Sequence, residues 1–202
     1  MAANDQKMSK TAAFYNKFSF FYPLVDLFLK PQKRKLFREI NSLPPGKLLE
    51  IGVGNGQHLH QYKIHEVIAI DTSSRMLKIA ARQQRENVVL LQMNGEALLF
   101  DDGTFDYVVL SHVIAVVDDP EKLLEEVYRV LKPKGKILIL NHFTPKNWVR
   151  HIDASMQLIS KWFHFKSVFS PDSIAAIKKF ELLKETSFGR LSYFKLLIYR
   201  KA

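Results

Sequence analysis

A carboxylate, a set of alternate glycines and a second carboxylate stand in this chain at the spacing a nucleoside site needs. Glu50 lies in the apolar run Leu48-Leu49-Glu50-Ile51, which empties directly into Gly52-Val53-Gly54-Asn55-Gly56-Gln57. Glycine allows backbone to come close to a ligand where a Cβ would collide, and a buried strand followed by such a turn forms the first half of a nucleotide-binding unit. The next apolar run, Val67 to Ile70, ends in Asp71, placed to accept both hydroxyls of a ribose. The dinucleotide fingerprint is not met, because its third glycine would have to stand at Gln57. A pyrophosphate also favours a positive helix end free of nearby anions, and Glu50 is such an anion. A cationic or zwitterionic nucleoside fits better.

The elements that must position these residues follow from the hydrophobic pattern. Strands are expected at Leu48–Ile51, Val67–Ile70, Val88–Leu91, Phe105–Leu110 and Lys136–Leu140. Between them, His58–Tyr62 reads as the helix after the glycines, and Arg75–Arg82 as a helix capped by Ser73 or Ser74. Asp119-Pro120 starts a helix whose buried stripe is Leu123, Leu124, Val127, Val130 and Leu131. Repeated strand–helix–strand units imply a mostly parallel sheet covered on both faces. Leu182–Thr186 and Phe194–Tyr199, around Gly189, read as a closing antiparallel hairpin. The fold class is therefore α/β, Rossmann-like and doubly wound. Residues 1–41 form an amphipathic helical segment, and 42–202 a core with a substrate-covering insertion at about 141–180 that includes a short helix from Pro171-Asp172.

Charge and composition narrow the partners. The 202 residues carry a formal net charge of +10 and no cysteine, which excludes disulfides, thiolate metal sites and a cysteine nucleophile. A pI near 9.7 points to an anionic partner, a nucleic acid or an acidic membrane surface. The apolar stretch Phe18–Leu29 is interrupted by Pro23 and Asp26 and is too short to cross a bilayer, so a cytoplasmic protein is expected. Phe14, Phe18, Phe21, Val25 and Phe28 recur at helical steps beside Lys10 and Lys17, a pattern that suits either a buried lid or a helix lying in a membrane interface. That aromatic, amphipathic placement of charge favours an anionic membrane over nucleic acid. His58 and His60 diverge on a helix, so no metal pair is expected.

The run Glu50-x-Gly52-x-Gly54-x-Gly56, with Asp71 closing the second strand, resembles the class I S-adenosylmethionine-dependent methyltransferases. Asn94-Gly95-Glu96-Ala97 and Phe100-Asp101-Asp102-Gly103-Thr104-Phe105-Asp106 resemble a further block of that family. The resemblance implies S-adenosylmethionine as cofactor and S-adenosylhomocysteine as product. Glu50, Gly52, Gly54, Asn55, Gly56, Asp71, Thr72, Met76, Asn94, Gly95, Glu96 and Ser111 are the cofactor contacts it implies. Asn94 stands where the family usually has an Asp holding the adenine amino group, and an amide oxygen accepts the same bond. Met76 equally suits ordinary helix core.

A narrower likeness, in Tyr15-Asn16-Lys17-Phe18, Tyr22-Pro23-Leu24-Val25-Asp26, Val113 to Glu121 and Ile137 to Phe143, is to the soluble bacterial phospholipid N-methyltransferases. It implies phosphatidylethanolamine as acceptor and a peripheral position on the inner face of the membrane. Methyl transfer needs alignment and exclusion of water, and an amine acceptor must also lose a proton. Tyr15, Tyr22, His112 and His142 are the candidate bases, although either histidine equally suits a structural role. Aromatic faces in the opening segment suit a quaternary ammonium product. Two other readings stay open: a methyltransferase for a soluble or quinone-type acceptor, and an RNA-binding methyltransferase or inactive cofactor-binding module.

Overall fold

The computed structural model describes residues 32–83, 85–142, 174–188 and 194–202. A helix over 32–40 (α1) leads into strand β1, Lys47–Ile51; β2 is Glu66–Asp71, β3 Val88–Gln92, β4 Phe105–Ser111 and β5 Leu131–His142. Helix α2, Ser74–Ala80, joins β2 to β3, and α3, Pro120–Val130, joins β4 to β5. Strands β6, Phe180–Ser187, and β7, Phe194–Lys201, close the chain. The seven strands form one sheet in the order β3-β2-β1-β4-β5-β7-β6. Pairing is parallel from β3 to β5, and β7 is antiparallel to both β5 and β6. The α/β doubly wound sheet with its terminal hairpin is the one the hydrophobic pattern requires.

Period-two alternation divides the core between the two faces. Leu49 and Ile51, Val108 and Leu110, and Ile137 and Ile139 pack on one face under Leu123, Leu124, Val127 and Val130 of α3. Leu48, Val67, Ala69, Val109, Leu138 and Leu140 pack on the other under Leu36, Phe37 and Ile40 of α1. Truncating Leu123, which is fully buried, would cost about 2–5 kcal/mol. Because α1 belongs to this core, a boundary at residue 41 separates elements that share one apolar layer.

Local chemistry sets the helix ends. Ser73 Oγ accepts the Met76 N–H at 3.2 Å to start α2, and Asp119 Oδ1 accepts the Lys122 N–H at 3.1 Å to start α3 ahead of Pro120. Glu121 then accepts the N–H groups of Ala175 and Ala176, holding a 3-10 turn at Ala175–Lys179. The helix start expected at Pro171 lies outside the described residues.

Three boundaries differ from the pattern. His58–Tyr62 is no α-helix but a 3-10 turn at Leu59–Gln61, because Tyr62 is already extended. The expected helix Arg75–Arg82 stops being α-helical at Ala80 and finishes as a 3-10 turn, Ala81–Gln83. Strand β5 begins at Leu131, which pairs with Phe105 before a register shift brings Lys136 opposite Tyr107. Lys134, at φ 63°, takes up the extra residues of that bulge.

Candidate functional site

The strand order reverses direction between β1 and β4, and open α/β sheets take ligands beyond the carboxyl ends of the strands at such a point. The glycine turn lies there. Gly52 has φ +77°, and a Cβ on it would lie 2.3 Å from Val113 Cγ2, so both backbone and packing require glycine. Its N–H and that of Val53 donate to the Ile70 carbonyl at 2.8 and 3.0 Å, tying the turn to the end of β2. Asn55 Oδ1 accepts the Gln57 N–H at 3.2 Å and closes the turn on itself. A Cβ on Gly56 would lie 2.7 Å from Ala80 Cβ, which sets how closely the turn packs on α2.

Alternation sends Glu50, Asp71 and Ser111 to the α1 face of the sheet, at the carboxyl ends of β1, β2 and β4. Asp71 Oδ2 accepts the Gly54 N–H at 2.9 Å, and Oδ1 accepts the Ser73 N–H at 2.8 Å. Each oxygen keeps a lone pair for a ligand hydroxyl. Burial lifts the Asp71 carboxyl above its ordinary pKa; the backbone donors of Ser73 and Gly54 pull it back, and the charge of Glu50 lifts it again. The two carboxylates therefore feel one another across the turn.

Glu50 is 1 % exposed. Its Oε1 lies 2.7 Å from His58 Nε2, while Oε2 is buried without a partner. Phe37 packs against the His58 ring with centroids 5.6 Å apart, and Phe37 meets Tyr62 edge-on at 5.0 Å. Burial, and then the neighbouring Glu50 charge, push the Tyr62 phenol well above its usual pKa, so it stays protonated beside the carboxylate. His58 thus orients Glu50 from behind, a role its sequence position did not reveal. The available signal was a spacing of eight residues across a glycine turn, which only the fold converts into contact.

The loop after β3 is held together by its own polar groups. Asn94 Oδ1 accepts the Glu96 N–H at 3.0 Å, and its carbonyl accepts the Ala97 N–H at 3.1 Å. Gly95 is wedged, since a Cβ there would lie 2.7 Å from Ile51 Cγ2 and 2.9 Å from Leu123 Cδ1. Glu96 has partners within the chain: its Oε1 accepts the N–H groups of Asp118 and Asp119, at 2.9 and 3.1 Å, and holds the loop that feeds α3. Thr72 is exposed and uses its carbonyl for Gln92 Nε2, whereas Met76 is buried on α2. Arg129, which the sequence pattern did not single out, clamps this loop from α3 by donating to the carbonyls of Leu98 and Phe100 and to Asp102 and Glu126.

Strand β4 ends in Ser111, whose Oγ is buried without a partner, and in His112, at φ 61°. The His112 N–H donates to the Leu140 carbonyl at 2.7 Å, and its ring meets Phe194 at 5.7 Å, edge to face. Position 142 ends β5 opposite Phe194, so His112 and His142 occupy neighbouring strand ends. Tyr15 and Tyr22 lie outside the described residues. Among the described residues, no cluster of His, Asp and Glu is arranged to hold a metal.

The outer face of α1 is cationic. Arg34 and Arg38, exposed one turn apart on α1, line two shallow depressions, one completed by Lys35, Thr186 and Phe188 and the other by His60 and Lys63 among its walls. No carboxylate lines either. Register places Thr186 opposite Leu196 and Leu196 opposite Leu140, so the first depression opens level with the carboxyl end of β5. The nearby Glu39 is occupied by Lys35 and Lys184, each at 2.9 Å. Burial raises its pKa, but the two lysine hydrogen bonds outweigh that and hold it low. No described helix is long and apolar enough to cross a membrane.

Residues 49–139 match the model of a methyltransferase domain. The chain is 29% identical over 163 residues to a phosphatidylethanolamine N-methyltransferase of Cereibacter sphaeroides, covering 77% of this chain and 80% of that one. It is 35% identical over 109 residues to the ubiquinone/menaquinone biosynthesis C-methyltransferase UbiE of Pasteurella multocida, across 49% of this chain and 41% of the other. A solved structure of similar fold is an S-adenosylmethionine-dependent methyltransferase, possibly a histamine N-methyltransferase, from Thermotoga maritima. It superposes with a TM-score of 0.71 at 21% identity, covering 95% of this chain and 100% of that one.

Proposed function

Because the chain belongs to the S-adenosylmethionine-dependent methyltransferases, we propose that its acceptor is the amino group of a phosphatidylethanolamine headgroup presented at an anionic membrane surface. The cofactor is S-adenosylmethionine and the product S-adenosylhomocysteine. When bound, the cofactor supplies a sulfonium methyl group open to in-line displacement. The residues present fit such a group. Buried Glu50 Oε2 and Ser111 Oγ lack partners, and Gly52 and Gly54, at φ +77° and +58°, expose turn backbone to a ligand.

In this reading Asp71 takes the ribose hydroxyls with the lone pairs that Gly54 and Ser73 leave, and Asn94 takes the adenine side. Glu50, oriented by His58, opposes the positive end of the cofactor with Oε2, and Ser111 borders that end. The burial of Glu50 at the sheet rim sharpens these electrostatic contacts.

The observation that supports the lipid assignment is the Arg34–Arg38 ridge, a cationic surface whose first depression opens level with the end of β5. Arginines in that position attract an anionic bilayer and hold headgroups near the strand ends. The aromatic and basic composition of residues 1–31, with the hydroxyls of Tyr15 and Tyr22, suits the same membrane contact and supports a position at the inner face of the membrane. Labelled S-adenosylmethionine supplied with vesicles of phosphatidylethanolamine and phosphatidylglycerol should yield labelled lipid. Labelling of a quinol instead would establish the second reading, which the match to UbiE favours. Removing residues 1–30 should abolish vesicle binding while S-adenosylhomocysteine still binds; unchanged vesicle binding would remove the anchoring role.

A further inference from the structure

One residue before its end, strand β5 carries a buried amide that none of the described residues satisfies. Asn141 is 1 % exposed, and neither its Oδ1 nor its Nδ2 has a hydrogen-bond partner. An amide has two N–H donors and an oxygen with two lone pairs, and native interiors leave very few such groups unpaired. Buried polar groups of this kind at the mouth of an enzyme fold await a ligand.

The neighbours of Asn141 explain why the chain does not satisfy it. Its cross-strand partner is Lys195, whose ammonium is bound to Glu185 at 2.6 Å. Alternation puts Ser111 and Glu50 on the α1 face and Asn141 on the face of Ile137 and Ile139. Asn141 directly follows Leu140, whose carbonyl accepts the His112 N–H at 2.7 Å. It therefore stands at the carboxyl rim beside the end of β4, past the residues that fit the cofactor.

We propose that Asn141 orients the methyl-accepting amine, an assignment that rests on the amine reading above. Its Oδ1 accepts one N–H of the neutral amine and so fixes the direction of the nitrogen lone pair. In the transfer that lone pair forms the new N–C bond while the S–C bond breaks, its electrons remaining on sulfur as a neutral thioether. The ammonium so formed sheds a proton to solvent. An amide takes up no proton, so Asn141 aligns the acceptor and does not act as base. A neutral primary amine has two N–H bonds, its monomethyl derivative one, and its dimethyl derivative none. The bond to Asn141 therefore serves the first and second transfers and is absent from the third.

The test presents wild type, Asn141→Leu and Asn141→Asp with phosphatidylglycerol vesicles containing phosphatidylethanolamine, its N-monomethyl or its N,N-dimethyl derivative, with S-adenosylhomocysteine affinity measured by calorimetry. Losing one oriented hydrogen bond should lower kcat/KM of Asn141→Leu roughly 30-fold on the first two lipids and less than about threefold on the dimethyl lipid. Cofactor-product affinity should stay within about threefold of wild type, since the amide lies outside that site. Asn141→Asp keeps an acceptor oxygen and should retain at least about five times the activity of Asn141→Leu on the first two lipids. An equal loss on all three lipids, or equal losses in the two variants, would overturn the assignment. Should wild type not turn over the dimethyl lipid, the comparison of the two variants decides. Should wild type methylate none of the three, the amine reading itself fails, and the assignment with it.

Discussion

The two halves of the sheet's carboxyl rim are finished to different degrees. On the β3-β2-β1 side the polar groups are engaged by the chain itself: Asp71 holds Gly54 and Ser73, Asn94 holds Glu96, and Asn55 holds Gln57. On the β4-β5 side Ser111 Oγ and both amide atoms of Asn141 are buried without partners, with Glu50 Oε2 at the border. The first half is preorganised by backbone and needs little adjustment to take a nucleoside. The second leaves its polar capacity open, Ser111 and Glu50 for the positive end of the cofactor and Asn141 for the acceptor.

The largest effect should come from breaking the finished half at its tightest point. Gly52→Ala forces a Cβ to 2.3 Å from Val113 at φ +77°. It should lower stability by about 2–4 kcal/mol and remove measurable S-adenosylhomocysteine binding, checked by thermal denaturation and calorimetry. Asp71→Asn separates site from scaffold more cleanly. Its amide keeps one acceptor oxygen and turns an NH2 group toward the other backbone donor, while removing a buried charge close to Glu50, so stability should fall by only about 1–2 kcal/mol while affinity falls roughly 100-fold.

That half was also the legible one. Glu50, the glycines and Asp71 are separated by short, fixed intervals along one β-turn-β path, so their spacing nearly determines their geometry. The parallel strands showed equally well, because a strand buried on both faces is an apolar run bounded by turns. His58 and Arg129 were not legible, since each works through a contact made only after the chain folds back, His58 on Glu50 and Arg129 on the loop at Leu98 to Asp102. The loop contact of Glu96 was hidden for the same reason, as it depends on where the chain at Asp118 and Asp119 passes. Asn141 falls within the stretch Ile137 to Phe143 that resembles the phospholipid N-methyltransferases, but the stretch does not single it out. Its importance lies in partners that are missing, which no sequence displays.

Smaller effects sharpen the contrast. Glu96→Ala should cost about 1 kcal/mol of stability through loss of the two loop hydrogen bonds, with S-adenosylhomocysteine affinity within about threefold of wild type. A larger loss of affinity would return Glu96 to the ligand.

The smallest effect lies far from the rim, at the opposite end of the sheet. Burial raises the Asp106 pKa, but the hydrogen bonds from Lys132 and from the Lys47 N–H, each at 2.8 Å, outweigh it and hold the carboxyl low. Glu126 is held low chiefly by Arg129. A carboxylate with a lowered folded pKa contributes stability above its unfolded pKa and loses it as pH falls through the folded value. Thermal stability should therefore decline below about pH 4, and Asp106→Asn should flatten that decline.

The central claim is that one site is divided between a cofactor half and an acceptor half, and calorimetry of S-adenosylhomocysteine on Asp71→Asn and Asn141→Leu, side by side, tests it most directly. Affinity should fall roughly 100-fold in the first variant and stay within about threefold of wild type in the second. Equal affinities in the two variants, or loss only in the second, would contradict the division.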